Sequence, residues 1–253
     1  MERGVYAAAA GGLSSLRMLQ VISNNLANVN TVGFKAERLV TRQQEFSDTL
    51  ASTLKEAPAR APSDHLRTPG VTDIATFTDF TPGPISETGN PLDAALVKDS
   101  HFFAVQTAEG EAYTRAGNFT IDANGFLVTP DGYPVLGEGG PISIDRSSAK
   151  ITSNGTIMTD QNVLGRVRVV EIPDLSQLRR QGGSRFMVEG GAQPANIEDP
   201  QLIPQAVEMP NISVVQSMVD LINANRAFES YTKSVRTINE LDETALRGAR
   251  TTG

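Results

Sequence analysis

Side chains able to do chemistry are few in this 253-residue chain. It has no cysteine, which removes disulfides, thiolate metal sites and cysteine nucleophiles. Its two histidines, His65 and His101, are too few for a multi-histidine metal centre. His101 opens the apolar run His101-Phe102-Phe103-Ala104-Val105 and reads as a structural residue, not as a base or ligand. Asp122-Ala123-Asn124-Gly125 starts like a calcium loop but lacks the spacing and terminal Glu that complete one, and a hairpin turn explains it. No phosphate loop, G-x-G-x-x-G fingerprint, H-E-x-x-H helix or G-x-S-x-G elbow occurs. Glycosylation sequons begin at Asn118, Asn154 and Asn211, with no export signal beside them. Asp and Glu number 29, so a carboxylate pair for glycoside chemistry stays open, because sequence alone gives no distances. The residues therefore name no catalytic group, no cofactor and no metal site, and the chain does not read as an enzyme.

Composition narrows the class further. Hydrophobic residues are 39% and charged residues 20%, a soluble globular mixture with a chain long enough for a sizeable core. The net charge of -7 argues against general attraction to nucleic acid or to anionic lipid. The N-terminus starts with Glu2 and Arg3, and Arg17 interrupts the apolar stretch, which fits a cleaved secretory signal poorly. No apolar run is long enough to span a bilayer. The expectation is a cytoplasmic chain, or one exported by a route that reads no cleaved signal.

The elements that would position any site divide into two ends and a middle. All 14 prolines fall from Pro58 to Pro210, so both ends are free to be helical. At the first end Val5, Ala9, Gly12, Leu16, Leu19, Ser23 and Leu26 recur by fours and threes, widened by Leu13 and Ile22. Small residues at the start of this stripe permit a close backbone approach. Asn28-Val29-Asn30-Thr31-Val32-Gly33 ends the helix. At the other end the repeat runs through Val214, Ser217, Leu221, Ala224, Phe228, Tyr231, Val235, Ile238, Asp242 and Ala245, entered through Pro210-Asn211-Ile212-Ser213. Val215, Met218, Val219 and Ile222 add a second stripe, too apolar for one partner. Between the ends, runs rich in β-branched and aromatic residues alternate with Glu-Gly, Asn-Gly and Asp-Gly turns, the mark of hairpins in a barrel or sandwich.

The expected fold class is α+β: a discontinuous α-helical coiled-coil domain from both termini plus a central antiparallel all-β domain. Residues 1–30 and 211–253 form the helical domain, 31–84 an extended or partly disordered connector, and 85–210 the β domain. Lys35 to Leu54 reads as polar and partly helical, and Ala57 to Asp64 as a linker.

Three groups of motifs carry a resemblance. Asn24-Asn25-Leu26-Ala27-Asn28-Val29-Asn30-Thr31-Val32-Gly33-Phe34-Lys35 resembles the N-terminal signature of the flagellar rod and hook proteins. Glu208-Met209-Pro210-Asn211-Ile212-Ser213, continuing through Val219, Ile222 and Asn225 to Glu229, resembles their second signature. Thr88-Gly89-Asn90-Pro91-Leu92-Asp93, Phe102-Phe103, Tyr113 to Phe119 and Asp131-Gly132-Tyr133 match the middle. Ser100-His101 stands where the family usually has a Gly before the paired Phe. The length and the Thr88–Asp93 block look most like the proximal-rod members, with distal-rod or other axial subunits as the alternative.

The resemblance implies a structural subunit that stacks helically with copies of itself and other rod proteins. The terminal helices would form the inner tube of a hollow drive shaft and export channel crossing the periplasm. It also implies delivery by the flagellar type III export machinery, with no direct lipid or nucleic-acid partner. The expected subunit-interface residues are Leu16, Leu19, Ile22 and Leu26 at the N-terminal end and Leu221, Ile222, Phe228, Tyr231, Val235 and Ile238 at the C-terminal end. Asn24, Asn25, Asn28, Thr31, Gly33 and Phe34 are the signature residues, read as a helix exit or as a mark for the export machinery. The rival class is a secreted β-domain hydrolase or glycan-binding module with helical oligomerisation ends.

Overall fold

The computed structural model describes residues 2–43, 72–144, 149–159, 162–189 and 194–251. The chain divides into a helical unit, Met1–Ala27 with Glu37–Thr78 and Ser213–Gly253, and a β unit, Asn28–Ala36 with Asp79–Ile212. With helices at both ends and antiparallel strands between, the class is α+β.

In the helical unit, α1 (Glu2–Ala27) packs against α2 (Val214–Thr251). Buried Ala8, Ser15 and Ile22 of α1 step by seven residues and so share one face of the helix. Small residues on this face allow close approach. A Cβ built on Gly11 would sit 2.5 Å from Tyr231 Cε1, so the Tyr231 ring occupies the place of a side chain there. The α2 entry is capped as its composition predicts. Ser213 accepts at Oγ from the Gln216 amide at 3.4 Å, and its carbonyl accepts from Ser217 at 2.9 Å.

The unit also contains two strands, β1 (Glu37–Gln43) and β2 (Thr72–Thr78), where the sequence reads as connector. They pair antiparallel along their whole length, from Glu37 opposite Thr78 to Gln43 opposite Thr72. The ladder is only two strands wide, and Val40 and Phe77 are exposed on it. It therefore needs no strict apolar alternation, which is the signal that sequence reading uses. The remainder of the expected linker, with His65, lies outside the described residues.

The β unit is built on a six-stranded antiparallel sheet. In chain order its labels continue with β3 (His101–Thr107), β4 (Gly110–Thr114), β5 (Val169–Glu171), β6 (Leu178–Gly182), β7 (Arg185–Val188) and β8 (Ala195–Asn196). Their spatial order is β6-β7-β4-β3-β5-β8. The edge strand β6 carries Arg179 and Arg180 and loses register against β7 between Arg180 and Gly182; the opposite edge, β8, has two residues.

Both faces of this sheet are buried. Phe103, Val105, Ala112 and Val169 join one core, with Phe119, Leu127, Val135 and Ile157. Phe102, Ala104, Tyr113 and Val170 join the other, with Phe80 and Phe186. A strand buried on both faces reads as a continuous apolar run, which is why His101–Val105 shows no polar alternation. Phe103 meets Phe119 edge-on with ring centroids 5.1 Å apart, and Phe80 lies 5.1 Å from Phe186. Shorter ladders surround the sheet, among them Thr120–Ile121 with Leu127–Val128, Lys150–Ile151 with Thr156–Met158, and Ile85–Glu87 with Ala206–Glu208. The expected turns are made at Gly125, Gly132 and Gly155, each with positive φ.

Candidate functional site

The helical unit carries exposed apolar faces, and the β unit holds a buried charge cluster. On α2, Val215, Met218, Val219 and Ile222 are all at least 46% exposed. On α1, Leu13, Leu16 and Met18 are exposed too. Of the expected interface residues, Leu16, Ile222 and Tyr231 are exposed, while Leu19, Leu26, Leu221, Phe228, Val235 and Ile238 are half-buried. Ile22 is buried within its own unit, so the helix stripe read from sequence serves two purposes. Periodicity defines a face but does not say which neighbour covers it.

The signature block after α1 holds the chain in a fixed exit. Asn25 makes two hydrogen bonds with the start of β1: its Nδ2 donates to the Glu37 carbonyl at 2.8 Å and its Oδ1 accepts from the Glu37 amide at 2.9 Å. In the β unit, Thr31 donates its amide to the Asn28 carbonyl at 3.0 Å and its hydroxyl to Asn28 Oδ1 at 3.2 Å. Gly33 has φ of 69°, and a Cβ there would fall 2.3 Å from the Ala116 backbone nitrogen, so both conformation and space call for glycine. Phe34 is buried beneath the Arg180 guanidinium, 4.4 Å from its ring centroid. Asn24 is exposed.

The next residue, Lys35, belongs to a cluster that sequence reasoning did not single out. Its Nζ lies 2.7 Å from Glu208 Oε1, and the other oxygen of Glu208 takes Arg115 Nε at 2.6 Å. All three side chains are at most 1% exposed. Gly83 donates its amide to Glu208 Oε1 at 2.9 Å, and Lys35 donates also to the Thr81 carbonyl at 2.8 Å. Arg115 Nη1 donates to the carbonyls of Lys98, Asp99 and His101 at 2.7, 3.1 and 2.9 Å. Burial pushes the Lys35 ammonium below its ordinary value, against the pull of Glu208. Such a cluster is tolerated only because nearly every donor and acceptor is engaged.

All three residues stand within the quoted motifs, but Lys35 and Glu208 are 173 positions apart, and no local pattern links them. Their one visible trait is charge set among apolar and glycine residues. Asn211 completes the arrangement. Its Oδ1 accepts from Ala36 at 2.8 Å, and its Nδ2 donates to the Asp79 carbonyl at 2.8 Å and the Thr81 carbonyl at 3.1 Å.

Other motif residues are structural in the same way. Thr88 Oγ1 and Asn90 Nδ2 donate to the two oxygens of Asp93 at 2.6 and 2.8 Å. Asp122 accepts from the Phe126 and Asn124 amides, bonds that hold its carboxyl below the usual range. These bonds make a turn of the segment that begins like a calcium loop. Among the described residues, no three of His, Asp or Glu gather as a metal site, and no helix is long and apolar enough to cross a membrane.

Comparison with known proteins covers both ends and the middle. Residues 8–35 match the family described as flagella basal body rod protein, residues 96–159 the flagellar hook protein FlgE/F/G D1 domain, and residues 203–248 the flagellar basal body rod FlgEFG protein C-terminal family. The chain is 32% identical to the flagellar basal-body rod protein FlgF of Caulobacter vibrioides over 97% of each chain. It is 33% identical to FlgG of Bacillus subtilis over 95% of this chain and 97% of that one. It is 31% identical to FlgF of Escherichia coli over 95% of both. Matching nearly end to end, with the buried charges and turns of its motifs accounted for by the fold, the chain belongs to the family of flagellar basal-body rod proteins.

Proposed function

We propose that the chain is a structural subunit of the flagellar basal-body rod, at the proximal position, and that it polymerises through its terminal helices. The observation that carries this reading is the apolar surface left on paired helices: Val215, Met218, Val219 and Ile222 on α2, with Leu13, Leu16 and Met18 on α1. Surface of this kind, rimmed by polar residues, marks an interaction site. Burying it at about 25 cal/mol per Å2 supplies the drive for helical stacking with other subunits in coiled-coil fashion. In this reading the protein is a structural part of a hollow shaft in the periplasm, delivered by the type III export machinery, and not an enzyme. Leu19, Leu26, Leu221, Phe228, Val235 and Ile238 flank the contact.

The test is Ile222→Asp expressed in a cell lacking the native gene. The expected result is a normally folded chain that is missing from purified hook–basal bodies, with motility lost. Normal incorporation would refute the packing role. FlgG relatives at similar identity favour a second reading, a distal-rod position. Quantitative mass spectrometry of hook–basal bodies separates the two: few copies indicate the proximal rod, a larger excess the distal rod.

A further inference from the structure

The Lys35–Glu208–Arg115 cluster ties together segments far apart in the chain. Residues 33–36, 79–84 and 208–211 each adjoin a point where the chain passes between units, at 36/37, 78/79 and 212/213. Gly33 donates its amide to the Glu208 carbonyl at 2.8 Å, and Met209 donates to the Pro84 carbonyl at 2.8 Å. A Cβ on Gly83 would overlap the Met209 carbonyl oxygen at 1.8 Å, so these backbones run in contact. Every bond crossing between the segments involves Glu208, Met209 or Asn211, or the Lys35 side chain that Glu208 neutralises, apart from the bond from the Asp79 amide to the Ala36 carbonyl.

We propose that Glu208 and Asn211 form a clasp that closes the β unit last, so that these three segments open and close as one cooperative unit, distinct from the central sheet. The physical reason is order of arrival. Lys35 and Arg115 cannot be buried as two cations without a carboxylate between them. That carboxylate stands four residues before the β unit ends at Ile212, so a chain presented from its N-terminus holds an unfinished β unit until the last strand of that unit has emerged. The central sheet does not wait for residue 208: β3 and β4 are joined by a short turn and pair locally, and the strands that join them end by Asn196.

The test is amide hydrogen exchange by NMR on the full-length chain, comparing the native protein with Asn211→Ala and Glu208→Gln. Asn211→Ala leaves every buried charge paired and keeps the chain foldable if Glu208→Gln does not fold. The reporters are the Gly33, Ala36 and Gly83 amides for the clasp and the Ala104 and Gln106 amides for the sheet. The expected result is that all three clasp amides accelerate together in Asn211→Ala, on the order of tenfold or more, while the sheet amides remain the slowest to exchange. Three results would overturn the proposal. Acceleration of Ala36 alone would mean the segments are independent. Equal acceleration of clasp and sheet would mean the cluster is ordinary core. No acceleration would mean the clasp does not control opening.

Discussion

The helical unit and the β unit treat burial in opposite ways. The β unit encloses three charges, with Lys35, Arg115 and Glu208 all but fully buried and paired. Helix α2 leaves a run of large apolar side chains in water, with Val215 75% exposed. Fully burying a side chain such as Val or Ile is worth about 1.5–3 kcal/mol, and the α2 stripe holds part of that in reserve. The difference teaches where each unit's stability resides. The β unit draws its stability from a double-sided interior, whereas the helical unit leaves a stripe of large apolar side chains exposed.

The comparison breaks first at Phe103. Phe103→Ala removes a fully buried ring from contact with Phe119 and should destabilise the β unit by about 3–5 kcal/mol, read as a lower urea midpoint. If the midpoint does not move, the double-sided core is not what holds that unit.

The close helix contact comes next. Gly11→Ala gains about 1 kcal/mol of helix propensity but displaces the Tyr231 ring. The single variant should therefore gain little, while the same change in a Tyr231→Ala background should stabilise the helices by about 0.5–1 kcal/mol. Equal effects in both backgrounds would show that ring and glycine are uncoupled.

His101 offers a finer distinction. Burial, helped by Lys98 and Arg115, holds its imidazole below the ordinary value of 6.5, while Glu171 pulls the other way. The unfolded chain then takes up this proton first as pH falls. Stability contributed by neutral His101 is full above 6.5 and is lost as pH drops from there toward the folded value. Urea midpoints on either side of 6.5 should show this slope, and His101→Gln should flatten it.

The smallest effect belongs to the exposed helix face. Ile222→Asp should change the stability of the free chain by no more than about 0.5 kcal/mol while abolishing assembly. A large loss of stability would show that Ile222 serves its own unit, as Ile22 does.

Much of the fold is legible in the residues because its signals are local. The Asn-Gly and Asp-Gly turns need only neighbouring glycines, and the seven-residue steps of α1 and α2 need only their own helix. The β1–β2 ladder is hidden because its two strands are separated by 28 residues, and no pattern local to either one names the other. Residues 28–30 read as the end of the helical domain and 31–36 as the start of a connector, yet 28–36 pack into the β unit, where Glu208 and Asn211, far along the chain, bond to Gly33, Lys35 and Ala36. For the helix stripes, sequence names the apolar residues but cannot divide them between Ile22, buried at home, and Ile222, exposed. That division depends on a partner helix about 200 residues away.

The edges of the six-stranded sheet bear on how such chains behave when crowded. Edge strand β6 shifts register between Arg180 and Gly182 and exposes Arg179, and β8 is only two residues long. Both features disfavour strand-to-strand growth, the common route from crowded β proteins to amyloid, at the two ends of the sheet. A β unit guarded in this way can be concentrated to high local density and remain itself.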